Sequence, residues 1–151
     1  MNLIILSCSG TKRVGGQDMK AIDRYDGPMW KTLRALLVRY PAASAAYEAG
    51  ELQIYVMSAH YGFVPASINM PDYDRKMTEA LIDKMSRNPA YDFQRIAPLV
   101  EGAEHVLYAG GALYRRAMLK AKDDPKITQT DGTGIGEHRA QLGAWIARHY
   151  E

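Results

Sequence analysis

The most informative stretch of the chain is Ile54-Tyr-Val-Met-Ser-Ala-His-Tyr-Gly-Phe-Val-Pro65. Its first four residues form an apolar run, which is typical of a strand that is buried on both faces of a sheet. The run then stops in Ser58, His60 and Tyr61. Open α/β sheets bind their ligands at the carboxyl ends of their strands. The stretch therefore predicts a central strand with binding or catalytic residues at its carboxyl end.

The N-terminus repeats this pattern. The apolar run Asn2-Leu-Ile-Ile-Leu6 is followed by Ser7-Cys-Ser-Gly-Thr-Lys-Arg13. Backbone N–H groups in such a turn can surround an anion, and Lys12 and Arg13 add positive charge. The spacing does not match the glycine-rich loop of nucleotide triphosphatases. We therefore expect an anion or sugar-phosphate site that includes Ser9, Lys12 and Arg13, and not an NTPase.

Strand-like runs alternate with helical patterns along the whole chain, which predicts a parallel sheet. The expected fold is a three-layer α/β/α domain over residues 1–151, with a mostly parallel central sheet of about four strands. The predicted strands are Leu3–Leu6, Gln53–Met57, His105–Ala109 and, as a possible fourth, Lys126–Gln129. The predicted helices cover 29–37, Ser44–Ala49, Met77–Met85, Phe93–Val100, Gly111–Ala121 and Gly136–Tyr150.

Composition narrows the class of protein without naming a function. A chain of 151 residues is the size of one domain, and its net charge of +2 permits a nucleic-acid partner without requiring one. Cys8 is the only cysteine, so no internal disulfide can form. We find no signal peptide, membrane-length apolar run or zinc-ligand spacing, and so we expect a soluble cytoplasmic protein with no membrane partner, metal or cofactor.

The order of several motifs resembles a small domain family of bacteria and phages. The motifs are Cys8-Ser-x-x-Lys12, Tyr25-x-Gly-x-Met-Trp30, Met57-Ser-Ala-His-Tyr-Gly-Phe-Val64, Pro71-Asp-Tyr-Asp74, Ala109-Gly-Gly-x-x-Tyr-Arg115 and Gly134-Ile-Gly-Glu137. That family is similar to the peroxide-stress protein YaaA and to the C-terminal region of archaeal tRNA-guanine transglycosylase paralogues. The resemblance implies a fold like that of uracil-DNA glycosylases and a role with nucleic-acid bases or modified nucleosides.

The chain departs from that family at one central position. Relatives often carry lysine where this chain has His60, and histidine transfers protons near neutral pH without a depressed pKa. The chain also lacks the Gly-x-Asp-Pro and His-Pro-Ser loops of the well-known uracil-DNA glycosylases. Uracil excision itself is therefore not expected.

Several candidate residues admit two roles. Cys8 is a nucleophile or lines the site, because Lys12, Arg13 and backbone amides at a strand end favour a thiolate. His60 is an acid or base or has a structural role. Ser58 lies on the same face of the strand, and Asp74 or Asp72 is a candidate for the orienting acid.

Other candidates would bind the substrate. Tyr61, Tyr73 and Tyr25 lie beside predicted loops and could stack on a base, whereas Trp30 is expected in the core of a helix. The remaining substrate-binding candidates are Gly62, Gly110, Tyr114, Arg115, Gly136 and Glu137, and Arg116 and Lys120 offer one helix face for a nucleic-acid backbone.

The first hypothesis is an enzyme that cleaves or remodels a modified base or an N-glycosidic linkage of nucleic acid, DNA in preference to RNA. A second is a non-catalytic nucleic-acid-binding or stress-response protein like YaaA. A third is a hydrolase or transferase of free nucleotides or nucleosides.

Overall fold

A five-stranded sheet forms the centre of the computed structural model, which describes residues 1–15, 18–71 and 75–151. The strands lie in the order β3-β2-β1-β4-β5, and all of them are parallel except β3, which pairs antiparallel with β2. Their bounds are β1 Asn2–Ser7, β2 Leu52–Ser58, β3 Gly62–Pro65, β4 His105–Ala109 and β5 Ile127–Gln129.

Helices connect the strands and cover both faces of the sheet. The bounds of the helices are α1 Ala21–Arg24, α2 Pro28–Arg39, α3 Pro41–Glu48, α4 Glu79–Ser86, α5 Phe93–Gly102, α6 Ala112–Ala121 and α7 Ile135–Tyr150, with a 3₁₀ turn at Pro89–Tyr91. None of the helices in the described ranges is long and apolar enough to cross a membrane.

The central strand β1 is buried on both faces, which explains its continuous apolar sequence. Ile4 and Leu6 pack into a core with α2, α3 and α7, whereas Leu3 and Ile5 pack into a second core with α4, α5 and α6. All four side chains have no exposed surface. The alternation of side chains along one strand thus joins three layers, as the sequence predicts.

The predicted number of strands was too low. The short strand β3 was missed because Gly62 and Pro65, which bound it, are residues typical of turns. Pro65 is tolerated there because β3 lies at the edge of the sheet. The other predicted strands are present with shifts of one residue or so at their ends.

Helix boundaries also differ from the predictions for local reasons. Pro41 occupies the first turn of α3, so this helix starts before the predicted Ser44. The helix predicted from Met77 begins at Glu79, because the Thr78 hydroxyl accepts a hydrogen bond from the Leu81 N–H at 3.1 Å and caps the helix.

Gly62 closes the β2–β3 hairpin against the 3₁₀ turn. Its φ of +76° lies in the left-handed region, and a Cβ at this position would lie 2.3 Å from the carbonyl oxygen of Tyr91. Both the backbone conformation and the packing therefore require glycine. This requirement fixes the position of the loop that carries His60 and Tyr61.

We predict that Gly62→Ala lowers the free energy of unfolding by at least about 2 kcal/mol, through backbone strain and overpacking together. The matched control is Gly50→Ala, because Gly50 has a φ of +77° but no atom within 4 Å of the added methyl group. Urea denaturation measures both variants. If both variants lost the same free energy of unfolding, the contact with Tyr91 would not contribute to the destabilisation.

Candidate functional site

The order of the strands creates a switch point at the carboxyl edge of the sheet. The chain leaves β1 toward the layer that contains α2, and it leaves β4, the neighbouring strand, toward the layer that contains α6. The loops that follow these two strands therefore turn to opposite faces of the sheet. Open α/β proteins bind their ligands at such a switch point.

Cys8 and Tyr114 meet at this switch point. Cys8 Sγ donates to the Tyr114 hydroxyl at 3.4 Å, although the two residues are 106 positions apart in the chain. Burial raises the pKa of Tyr114 above its ordinary value, and its contact with Cys8 acts in the same direction, whereas a hydrogen bond from the Met77 backbone opposes them. Tyr114 is therefore a neutral phenol near pH 7, available as a proton donor.

Gly110 allows the turn after β4 to approach the end of β1 closely. Its φ is +136°, and a Cβ there would lie 2.3 Å from Ser7 Oγ. Arg115 donates to the Gly110 carbonyl at 2.9 Å and to Gln129 Oε1 at 3.3 Å. The predicted substrate-binding residues Gly110 and Arg115 thus shape the turn that opens α6.

Thr130 and His138 support the same turn and were not among the predicted site residues. Thr130 Oγ1 accepts from the Gly110 N–H at 3.1 Å and lies 2.7 Å from His138 Nδ1. Both side chains are buried. The position of His138 in the first turn of a predicted helix was visible in the sequence, but Thr130 lies in a polar segment whose pattern indicates no partner.

Three helices begin at this edge without a side-chain cap among the described residues. Their N-cap residues are Gly27 for α2, Gly111 for α6 and Gly134 for α7. The first N–H groups of a helix need an acceptor from outside the helix, and the helix dipole makes that position positive. The arrangement suits an anionic ligand, and it includes the predicted residue Gly136 in the first turn of α7.

The loop after β1 adds further donors. Ser9 Oγ accepts from the Thr11 N–H at 3.1 Å, and a Cβ on Gly27 would lie 2.3 Å from the same oxygen. Among the described residues, the N–H groups of Ser9 and Gly10 have no acceptor. The start of α2 therefore borders the Ser9–Gly10 donors directly.

An arginine-rich network holds this loop. Asp26 lies 2.5 Å from Arg34 Nη2 and 3.5 Å from Arg13 Nε, so two guanidinium groups share one carboxylate. Partial burial alone would raise the pKa of Asp26, but the hydrogen bond from Arg34 and the charges of Lys31, Arg13 and Arg34 hold that pKa below its ordinary value. The network keeps a net positive charge beside the loop.

Arg24 ties the loop to the segment after β3. Its side chain is buried, and it donates to the carbonyl oxygen atoms of Met70 at 2.9 Å and Arg13 at 3.0 Å. Lys12 pairs with Tyr25 in an isolated β-bridge on the same side. The predicted cations Lys12 and Arg13 thus lie in a loop that the rest of the fold fixes in place.

We predict that Asp26→Asn destabilises the protein near pH 7 and that the difference from wild type narrows as the pH falls below about 4. A carboxyl pKa that is lowered in the folded state stabilises the fold above the unfolded-state pKa, and this contribution is lost as the pH falls through the folded-state value. Urea denaturation at several pH values measures the difference.

The control for this prediction is Asp83→Asn, which removes an exposed carboxylate 4.0 Å from Lys120 and should change stability little. A gap between wild type and Asp26→Asn that stays constant from pH 7 to pH 3 would contradict the assignment to the ionised carboxylate.

His60 and Tyr61 lie in the β2–β3 turn at the same edge of the sheet. Ser58 Oγ accepts from the N–H groups of both residues, at 3.1 Å and 3.0 Å, and is itself buried. Ser58 therefore holds the turn. The imidazole ring of His60 is exposed, and its centroid lies 4.5 Å from that of the Tyr61 ring, edge to face.

Other predicted residues lie in positions that limit their roles. Tyr25 is fully buried and packs on Trp30 at a centroid distance of 5.2 Å, so its ring does not face a ligand.

Arg116 pairs with Glu79, and Lys120 lies 4.0 Å from Asp83, so the predicted cationic face is neutralised by α4.

Glu137 is exposed in the first turn of α7, where a Cβ on Gly132 would meet its carboxylate. The predicted residues Tyr73 and Asp74, together with Asp72, lie outside the described residues.

No three His, Cys, Asp or Glu side chains of the described ranges stand together as a set of metal ligands. In comparisons with known proteins, no family model matches the chain, and no curated protein or solved structure matches it either.

Proposed function

We propose that this chain is an enzyme that acts on a base or nucleoside of nucleic acid at the carboxyl edge of its sheet. The proposal is carried by one observation: the uncapped N-termini of α2 and α6 border the loop after β1. A Cβ on Gly27, the N-cap of α2, would lie 2.3 Å from Ser9 Oγ, and a Cβ on Gly110, which precedes the N-cap of α6, would lie 2.3 Å from Ser7 Oγ.

Phosphate is the anion that fits the N–H donors beside the loop after β1. Backbone N–H groups at helix N-termini bind phosphate oxygens, and the open donors of Ser9 and Gly10 lie beside them. The Arg13–Asp26–Arg34 network adds positive charge that one carboxylate does not neutralise. A nucleotide within DNA carries a phosphate that these donors could bind, whereas a free nucleoside carries none.

The neighbouring β2–β3 turn fits the base. Tyr61 presents a ring that is only partly buried, and His60 lies exposed beside it. Aromatic side chains stack on bases that have been removed from a duplex or are single-stranded. We assign base stacking to Tyr61 and proton transfer to His60.

The reaction that these residues fit is hydrolysis of an N-glycosidic bond. The bond between C1′ and the base nitrogen breaks, oxygen from water bonds to C1′, and a proton passes to the departing base. His60 supplies that proton, the attacking water releases one proton to solvent, and His60 regains a proton from solvent, so that the step balances. We place Cys8 and Tyr114 on the sugar side of the proposed site, where the neutral phenol donates a hydrogen bond.

We also propose kinship with the YaaA-like family and its uracil-DNA-glycosylase-like fold, on the order of the sequence motifs. The motif positions Cys8, Ser58, Gly110 and Gly136 all stand at strand ends or in the first turn of a helix. The three-layer arrangement around a mostly parallel sheet agrees with the fold expected for that family.

The test is mass spectrometry of nucleosides and free bases after DNA and RNA, unmodified or carrying modified bases, are incubated with the protein. We expect a released or altered base with wild type and a rate at least roughly a hundredfold lower with His60→Ala. Ser67→Ala is the control, because Ser67 is exposed near the opposite end of the hairpin.

Equal turnover by wild type and His60→Ala would refute the role of His60. Salt-dependent binding of the polymer with no altered base would favour the non-catalytic binding protein instead. In that case substitution of Lys12 or Arg13, which lie in the loop after β1, should weaken this binding.

A further inference from the structure

A cavity lies between α7 and the strands β4 and β5, away from the carboxyl edge. Its volume is about 390 Å³, within the range of small-molecule sites. Val106, Leu107 and Trp145 form its apolar wall. It extends toward the amino end of β4, where His105 begins the strand.

The ionisable residues that line this cavity are all basic. They are His105, Lys126, Arg148 and His149, and no carboxylate is found among the described lining residues. The Arg148 side chain makes no hydrogen bond or ion pair with any described residue. Lys126 Nζ donates to the carbonyl oxygen atoms of Glu101 and Ala103 at 3.3 Å and 2.7 Å, and no carboxylate of the described residues forms an ion pair with it.

Helix ends alone do not account for this charge. Basic residues are common in the last turn of a helix, where they complement its dipole, and Arg148 and His149 occupy that turn of α7. His105 and Lys126, however, come from β4 and from the segment before β5. Basic residues from three separate parts of the chain thus line one space.

Aromatic rings lie close together at the base of the cavity. The centroid of the His149 ring is 4.2 Å from that of His105 and 4.5 Å from that of Trp145. Burial lowers the pKa of His149, and repulsion by His105 and Arg148 lowers it further. An anion in the cavity would relieve this repulsion, and the rings provide surface for a planar group.

We propose that this cavity binds a small organic anion that carries a planar ring, of the nucleoside monophosphate class, with Lys126 and Arg148 holding the anionic group. The site is independent of the function proposed for the carboxyl edge. Its occupant is a small molecule because the cavity volume is that of a small-molecule site.

The test is isothermal titration of adenosine 5′-monophosphate, adenosine and inorganic phosphate into the wild-type protein. We expect saturable binding of the monophosphate, competition by phosphate and at least about tenfold weaker binding of adenosine. Arg148→Gln should weaken binding of the monophosphate by about tenfold.

The matched control is Arg39→Gln. Arg39 occupies the last turn of α2, a helix that packs beside α7, but it does not line the cavity. Equal weakening by the two substitutions would overturn the proposal, as would equal binding of adenosine and the monophosphate or the absence of saturable binding.

The two tryptophans separate this site from the carboxyl edge. Trp145 lines the cavity, whereas Trp30 Nε1 donates to the Ser7 carbonyl oxygen at the carboxyl edge. In ¹⁵N NMR spectra, assigned with Trp145→Phe, the monophosphate should shift the indole signal of Trp145. A shift of the Trp30 signal alone would place the ligand at the carboxyl edge and overturn the cavity proposal.

Discussion

The rest of the structure depends on one constraint, the position of β1 between two parallel neighbours. Parallel strands need crossover connections, and these are nearly always right-handed. The chain moves from β1 to β2 in one direction and later from β2 and β3 to β4 in the other. The helices that follow β1 and β4 therefore lie on opposite faces, so the loops after these two strands turn to opposite faces at the switch point where Cys8 meets Tyr114.

The same constraint explains why backbone N–H groups at this edge lack a side-chain acceptor among the described residues. The helices α6 and α7 directly follow the parallel strands β4 and β5 and so begin at the carboxyl edge, and a Cβ on Gly27 at the start of α2 would contact Ser9 at the same edge. By contrast, α4 does not directly follow a parallel strand, and Thr78 caps it. Glycine at the N-cap of the three helices leaves their first N–H groups to an outside acceptor. The fold thus concentrates positive potential without requiring many basic side chains.

The sequence predicted the features that depend on local pattern. The strands around Leu3–Leu6 and Ile54–Met57 could be predicted because burial on both faces demands continuous apolar residues. The location of Cys8, His60 and Gly110 at one edge followed from their positions after these strands. The edge strand β3 could not be predicted, because its four residues begin with glycine and end with proline.

Contacts between distant parts of the chain could not be predicted either. Arg116 and Lys120 looked like a free cationic face, but their partners Glu79 and Asp83 belong to another helix. Tyr25 looked like a stacking residue beside a loop, yet it is fully buried against Trp30. The hydrogen bond between Thr130 and His138 joins a loop to a helix, and neither residue alone indicates the other.

The most direct test of the account is the titration of ¹⁵N-labelled protein with a short single-stranded DNA, followed through its backbone amide signals. The account predicts the largest shifts at Ser9 and Gly10, whose N–H groups have no acceptor among the described residues, and at Ala112 in the first turn of α6. Shifts confined to other surfaces, or none at concentrations that saturate binding, would contradict the carboxyl edge as the functional site.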